Sequence, residues 1–350
     1  MPALQGVISA LTALIITINS LYGSQLGSTT PEVTGIFGPV ATTSVPIVPP
    51  KKPALPSTSP LTPLLPTAPA TGLPGTLATL RGTIVNIICT SKDSRIRSMS
   101  GSGVIFDPKG LILTNSHIGQ YYLLRDVLPA GSITCTVRTG SPAQNAYKAA
   151  PAYISSQWVA ANPRTLSTSG AKGTGEHDFA VLAITGSATP LPLPKTFPYI
   201  PLSKSEPKSG AELALGTYGA QTLSSKQIQN SLFPTLAIAT VKNRFSFGDG
   251  RIDLIALTGS AASQQGSSGG AVANAQGELV GIVTTSTQTG EYASRETRAV
   301  TTAHMRASFK MDSGEDFDQY FKNGTIKDFI EVFVDDSSRM GTLLIRELGK

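Results

Sequence analysis

From residue 76 onward the chain is a series of short apolar runs, each closed by Gly, Ser, Asp or Pro. The runs are TIVNIIC (83–89), GVIF (103–106), LILT (111–114), ITCTV (133–137), FAVLAI (179–184), ELALGTY (212–218), LAIATV (236–241), DLIAL (253–257), AVAN (271–274) and ELVGIVTT (278–285). They have the length of strands rather than helices, and turn chemistry separates them. Such a pattern predicts an all-β fold, either a barrel or a sandwich. The polar stretch from Gly140 to Glu176 holds the only tryptophan, Trp158, and predicts an extended loop with some strand. Helical periodicity appears only near the C-terminus. There Thr325 and Asp328 have the spacing of a capping box, and Ile326, Phe329, Ile330 and Phe333 share one helical face. No repeat of fixed period is present.

Before residue 76 the pattern is different. Residues 3–22 (ALQGVISALTALIITINSLY) carry no charge, and about 20 such residues span a bilayer as a helix. The segment has no basic n-region and no good small-residue cleavage site around Tyr22. It is read as an uncleaved membrane anchor, with a cleaved signal peptide or a buried helix as alternatives. Residues 24–75 are rich in Pro, Thr, Ser and Ala. Proline removes backbone donors and fixes φ, so this stretch predicts a disordered, partly polyproline-II linker with a reach on the order of 160 Å. The resulting domain plan is an anchor or signal segment at 1–23, the linker at 24–75, a folded domain at 76–310 and a C-terminal helical extension and tail at 311–350.

Charge sharpens that division. The chain has 28 basic and 22 acidic side chains, and only Glu32, Lys51 and Lys52 precede residue 76. The net charge of +6 is scattered, with no basic stripe and no aromatic interleaving, so no nucleic-acid partner is indicated. Three histidines without ligand-like spacing give no metal site, and no cofactor is implied. Two cysteines, Cys89 and Cys135, are either buried thiols or one bridge formed in an oxidising compartment.

Three segments carry candidate chemistry. His117 follows the LILT run in GSGVIFDPKGLILTNSHI (101–118), Asp178 heads the run in HDFAVLAI (177–184), and Ser268 sits in the glycine-rich turn GSSGGAV (266–272). In the order His, Asp, Ser they meet the needs of acyl transfer. A serine is a poor nucleophile until an imidazole accepts its proton, and the imidazole needs a carboxylate to fix its tautomer. Glycines at 266 and 269 let backbone N–H groups turn toward a developing oxyanion. The spacing suits two barrels, with His and Asp from one and Ser from the other. His177 alternates to the opposite side from Asp178, and His304 lies outside all three segments.

These segments resemble those of trypsin-like serine proteases, most closely the bacterial HtrA (Deg) branch. The resemblance covers residues 80–305 and rests on Gly101-Ser102-Gly103-Val104, Thr114-Asn115-Ser116-His117-Ile118, Asp178-Phe179-Ala180-Val181-Leu182 and Gly266-Ser267-Ser268-Gly269-Gly270. It implies two six-stranded antiparallel β-barrels of the chymotrypsin type, followed by short C-terminal helices. His117 would be the general base, Asp178 its orienting partner and Ser268 the nucleophile, with the backbone N–H groups of Gly266 and Ser268 as oxyanion hole. Ser267 stands where the family commonly has Asn or Asp, and Ala271 where it commonly has Pro; neither contributes side-chain chemistry. The residues after the last barrel strand are too few for the PDZ domain that usually follows in that branch.

The resemblance also places Ser260, Ala261, Ala262 and Ser263 at the first substrate pocket. They include no carboxylate, so cleavage after small or medium uncharged residues is expected. Both cysteines fall in the first barrel, which favours a bridge. The function expected is a serine endopeptidase acting on protein or peptide substrates, membrane-tethered and extracytoplasmic, or secreted if the N-terminal segment is cleaved. The alternative is a catalytically silent or chaperone-like binding module on the same fold.

Overall fold

Strands form at all ten of the short apolar runs. The computed structural model describes residues 71–166, 175–248, 250–286 and 290–349. The anchor segment and nearly all of the linker lie outside the described residues. Strands β1 (Ile84–Ser91), β2 (Met99–Asp107), β3 (Leu111–Thr114), β4 (Ile133–Thr139), β5 (Gln144–Ile154) and β6 (Ala180–Ser187) close a first barrel in the order β1-β2-β3-β6-β5-β4. Strands β7 (Glu212–Thr217), β8 (Thr235–Phe245), β9 (Leu254–Leu257), β10 (Ala271–Ala273), β11 (Leu279–Ser286) and β12 (Thr297–Thr301) close a second in the order β10-β11-β12-β9-β8-β7. All the pairings within the barrels are antiparallel. Closure leaves neither sheet with an open edge.

Two strands were not legible as apolar runs. Strand β5 lies in the polar stretch, contains Pro151, and shifts register at Lys148/Ala149 and Pro151/Tyr153. Such bulges accommodate a proline and scramble the alternation that marks a strand. Strand β12 (TRAVT) is short and half polar.

The helices depart further from expectation. Helix α1 (Gly72–Thr83) begins inside the stretch assigned to the linker; Pro74 falls in its first turn, where a missing N–H costs nothing. It packs on β7 and β8, and its Leu80 is fully buried. Helix α2 (Ser116–Val127) directly follows β3, and α3 (Ser156–Ala161) and α4 (Ser225–Asn230) are single turns in loops.

After the second barrel come α5 (Thr302–Ser313), α6 (Phe317–Asn323) and α7 (Ile326–Leu348), the last much longer than the short helix expected. The Thr325–Asp328 capping box at the start of α7 is formed, Thr325 N–H donating to Asp328 Oδ2 at 2.9 Å and Asp328 N–H to Thr325 Oγ1 at 3.3 Å. None of the described helices is long and apolar enough to cross a membrane.

These helices are part of the folded body rather than an appendage. Phe329, Phe333, Met340 and Leu344 line one face of α7 and are buried, as turn-by-turn spacing requires. A chain of ring contacts ties the extension to the first barrel. Phe106 of β2 meets Phe317 and Phe321, and Tyr153 of β5 meets Phe309 at 4.8 Å and Phe333 at 6.3 Å. Lys109 closes the end of α6 by donating to the carbonyls of Phe321, Lys322 and Gly324, the favourable place for a cation at a helix C-terminus.

Cys89 and Cys135 stand directly opposite each other on β1 and β4 and form a disulfide, their Cα atoms 4.1 Å apart. The bridge closes a loop of 46 residues, and removing it is expected to cost about 2–4 kcal/mol by freeing the unfolded chain. Urea unfolding of Cys89→Ser/Cys135→Ser against the native chain measures this loss; an unchanged midpoint would contradict it.

Candidate active site

The site lies where the end of β3, the start of β6 and the turn before β10 converge. His117 is the second residue of α2, so its ring is fixed by a helix start rather than by a free loop. Asp178 lies two residues before β6. His117 Nδ1 is 2.9 Å from Asp178 Oδ2, and the backbone N–H of His117 donates to Asp178 Oδ1 at 3.1 Å. Thr284 of β11 donates its hydroxyl to Asp178 Oδ2 at 2.8 Å. The carboxylate therefore accepts three hydrogen bonds while its side chain is only 5 % exposed. A carboxylate only accepts, so His117 Nδ1 carries the proton of this contact.

The residues flanking His117 lock this pair. Asn115 Nδ2 donates to the carbonyl of Asp178 at 2.8 Å, and Ser116 Oγ donates to that of Phe179 at 2.7 Å. Together they bind the His117 segment to both sides of Asp178. Trp158 of α3, from the long polar stretch, is buried with its ring 6.5 Å from that of His117.

Ser268 comes from the second barrel. The turn that carries it has Gly266 at φ +90° and Gly269 at φ +80°, a region that side-chain-bearing residues rarely occupy. Space also requires glycine at 269, because a Cβ there would lie 2.1 Å from the carbonyl oxygen of Ser102. Within the turn, Ser267 N–H donates to Gln264 O, Gly269 N–H to Val283 O and Gly270 N–H to Ser267 O. The N–H groups of Gly266 and Ser268 have no acceptor among the described residues. Two donors at alternate positions, left open beside a hydroxyl, are what an oxyanion hole needs.

Ser102, noted in the sequence only as part of a glycine-flanked segment, joins the barrels here. Its N–H donates to Ser268 O at 2.8 Å, and its hydroxyl donates to Gly266 O at 2.7 Å while accepting from Tyr218 N–H at 2.8 Å. Thr114 Oγ1 in turn donates to Ser102 O at 2.8 Å. Thr284 is the second contact that the sequence did not disclose. Its hydroxyl holds Asp178 while its carbonyl accepts from Ser268 Oγ at 3.4 Å. No hydrogen bond joins Ser268 Oγ to the His117 ring among the described residues, and such bonds commonly tighten only when substrate is bound.

Ser260, Ala261, Ala262 and Ser263, expected at the first substrate pocket, form a tight turn ahead of Ser268. Ser260 N–H donates to Ser263 Oγ, Ser263 N–H donates to Ser260 O, and Ala262 and Ser263 are fully buried. Ala261 is exposed. Ser263 Oγ lies 2.5 Å from Thr297 Oγ1 of β12. Behind them the buried Arg295 donates from Nη1 to Ser263 O at 2.9 Å and from Nε to Gly290 O at 3.0 Å. The charged side chain that hydrogen-bonds to this turn is thus a guanidinium rather than a carboxylate. His177, beside Asp178, turns its ring to Ser308 rather than to Ser268, and no group of metal-ligating side chains forms among the described residues.

Two closed six-stranded barrels with a His–Asp pair on one and a serine turn on the other define the architecture of trypsin-like hydrolases. The family model described as a trypsin-like peptidase domain matches residues 101–282. The chain belongs to that family and is a serine-protease-type hydrolase. No curated protein matches the chain. Among solved structures it is similar to the Rv3671c protease of M. tuberculosis. The active form is 20 % identical and covers 73 % of this chain and 95 % of its own, with a TM-score of 0.41. The inactive form is 16 % identical and covers 71 % and 100 %, with a TM-score of 0.40.

Proposed function

We propose that this protein is a serine endopeptidase that cleaves peptide bonds through an acyl-enzyme on Ser268. The observation that carries this reading is the 2.9 Å contact of His117 Nδ1 with a buried Asp178, beside a serine turn with two open N–H donors. Rotation of Ser268 about Cα–Cβ, away from Thr284 O, delivers its hydroxyl proton to His117 Nε2. The hydroxyl oxygen attacks the scissile carbonyl, and the N–H groups of Gly266 and Ser268 receive the oxyanion. His117 then gives its proton to the departing amine, and a water, activated the same way, releases the acid.

The first pocket fits a small or medium uncharged side chain. The Ser263–Thr297 hydroxyl pair narrows its floor, and the guanidinium of Arg295 opposes a substrate Lys or Arg. Digestion of a mixed peptide library, read by mass spectrometry, is expected to show cuts after residues such as Ala, Ser, Thr and Val. Cuts concentrated after Lys or Arg would contradict this.

The catalytic body is further proposed to act outside the cytoplasm, tethered by residues 1–23 through the Pro-rich segment. The disulfide supports an oxidising compartment, and the uncharged run at 3–22 supports the tether. One observation favours the second reading, a silent binding module: Ser268 Oγ rests against Thr284 O instead of His117. Turnover of a protein substrate that disappears in Ser268→Ala separates the two.

A further inference from the structure

Asp178 is presented to His117 by a turn that is itself held in an unfavourable conformation. The preceding residue, His177, has φ +56° and is the one non-glycine residue with positive φ among the described residues. A histidine in this region is strained and persists only where its surroundings hold it. The hold comes from α5, which follows the second barrel. The backbone N–H of His177 donates to His304 Nε2 at 3.3 Å. One turn further along α5, Ser308 Oγ lies 2.7 Å from His177 Nδ1. On the other side Ser116 Oγ, next to His117, lies 3.3 Å from the carbonyl of His177.

His304 is in turn fixed from behind. Its Nδ1 is 2.9 Å from Asp253 Oδ1, and both side chains are almost fully buried. Asp253 also accepts from the N–H of Phe247 at 2.7 Å and from Arg251 Nε at 2.8 Å. The molecule thus holds a second His–Asp pair directly behind the first. Because Nε2 must accept the His177 N–H, it carries no proton; the proton sits on Nδ1 and is donated to Asp253.

We propose that His304 is a positioning residue for the triad carboxylate: its neutral Nε2 clamps the left-handed turn at His177 and so aims Asp178 at His117. The inference rests on the triad reading above. It concerns a residue that touches neither substrate nor the reacting atoms.

The clamp is sensitive to acid. Protonated His304 would turn an N–H toward the His177 N–H, and the turn would lose its holder. The groups facing His304 are Asp253 and Arg251 from the approach to β9, and His177, with Glu176 on its far nitrogen, from the turn. Burial, with help from Arg251 and His177, outweighs Asp253 and holds the imidazole below its ordinary 6.5. The unfolded chain therefore binds the proton first. The stability that this neutral pair contributes is lost as pH falls from 6.5 through the lowered value.

The test compares the native chain with His304→Ala, His304→Gln and His304→Ala/His177→Gly, measuring kcat and KM on one peptide substrate from about pH 5 to 8, with fluorophosphonate labelling and thermal unfolding on each. His304→Ala is expected to lower kcat about 10- to 100-fold, the scale of a misaligned catalytic group, with KM little changed. Adding His177→Gly, which takes positive φ without strain, restores kcat. Gln retains an acceptor and cannot be protonated. His304→Gln therefore keeps kcat at neutral pH and loses less of it than the native chain as the pH falls. A native-level kcat in His304→Ala overturns the proposal, and so does a loss that neither Gln nor the added glycine relieves. If His304→Ala does not fold, the acid loss in His304→Gln decides: a smaller loss than in the native chain supports the clamp, and an equal loss overturns it. Failure of the native chain itself to label would instead overturn the triad reading.

Discussion

Asp178→Asn is expected to lower kcat about ten-thousand-fold while leaving the fold intact. The substitution is isosteric, so Asn115, Ser116 and Thr284 keep their places around the position. The chemistry changes at one atom. In the native chain Oδ2 accepts from His117 Nδ1 at 2.9 Å and from Thr284 Oγ1 at 2.8 Å. An amide NH2 in that place would donate to Nδ1 and force the proton onto Nε2, the nitrogen that must receive the serine proton. KM should change little, because the carboxylate lies behind the imidazole and away from substrate. Steady-state kinetics on a peptide ester, with thermal unfolding as a control for folding, measures both quantities. A loss under tenfold would mean that Asp178 does not set the tautomer of His117.

Ser268→Ala is expected to produce the largest effect, a loss in kcat on the order of a million-fold. Removing the hydroxyl removes the bond-forming atom and deletes only its weak 3.4 Å contact with Thr284 O, so stability should barely move. Residues that act as a unit are not additive. Ser268→Ala/His117→Ala should therefore be no slower than Ser268→Ala alone. The activity left in either variant would come from the open N–H groups of Gly266 and Ser268 and from substrate binding. If Ser268→Ala retained a substantial fraction of native turnover, another nucleophile would have to be sought.

The parts of this architecture that are legible in the sequence are the ones written locally. The apolar runs mark ten strands because each is short, bounded and β-rich. The turn at 266–270 announces itself because its backbone demands glycine at fixed places. Helix α2 stayed hidden for the opposite reason. Eight of its twelve residues are buried, so SHIGQYYLLRDV has no polar stripe to give it a helical period. The supports of the site are long-range. Ser102 acts on a turn 164 residues away, and Thr284 on a carboxylate 106 residues away. A hydroxyl in a strand carries no local mark of such a partner. His304 is the clearest instance. In the sequence it stands outside every catalytic segment, and only the fold sets it against Asp253 on one side and the His177 turn on the other.

The central claim, that Ser268 is a nucleophile activated by His117, is tested most directly by covalent labelling. The native chain is treated with a fluorophosphonate, digested, and the modified peptide located by mass spectrometry, with Ser268→Ala and His117→Ala alongside. A single adduct on Ser268, absent from Ser268→Ala and strongly slowed in His117→Ala, is the predicted result. An unlabelled native chain, under conditions that label other serine proteases, or an adduct on a different serine, would contradict it.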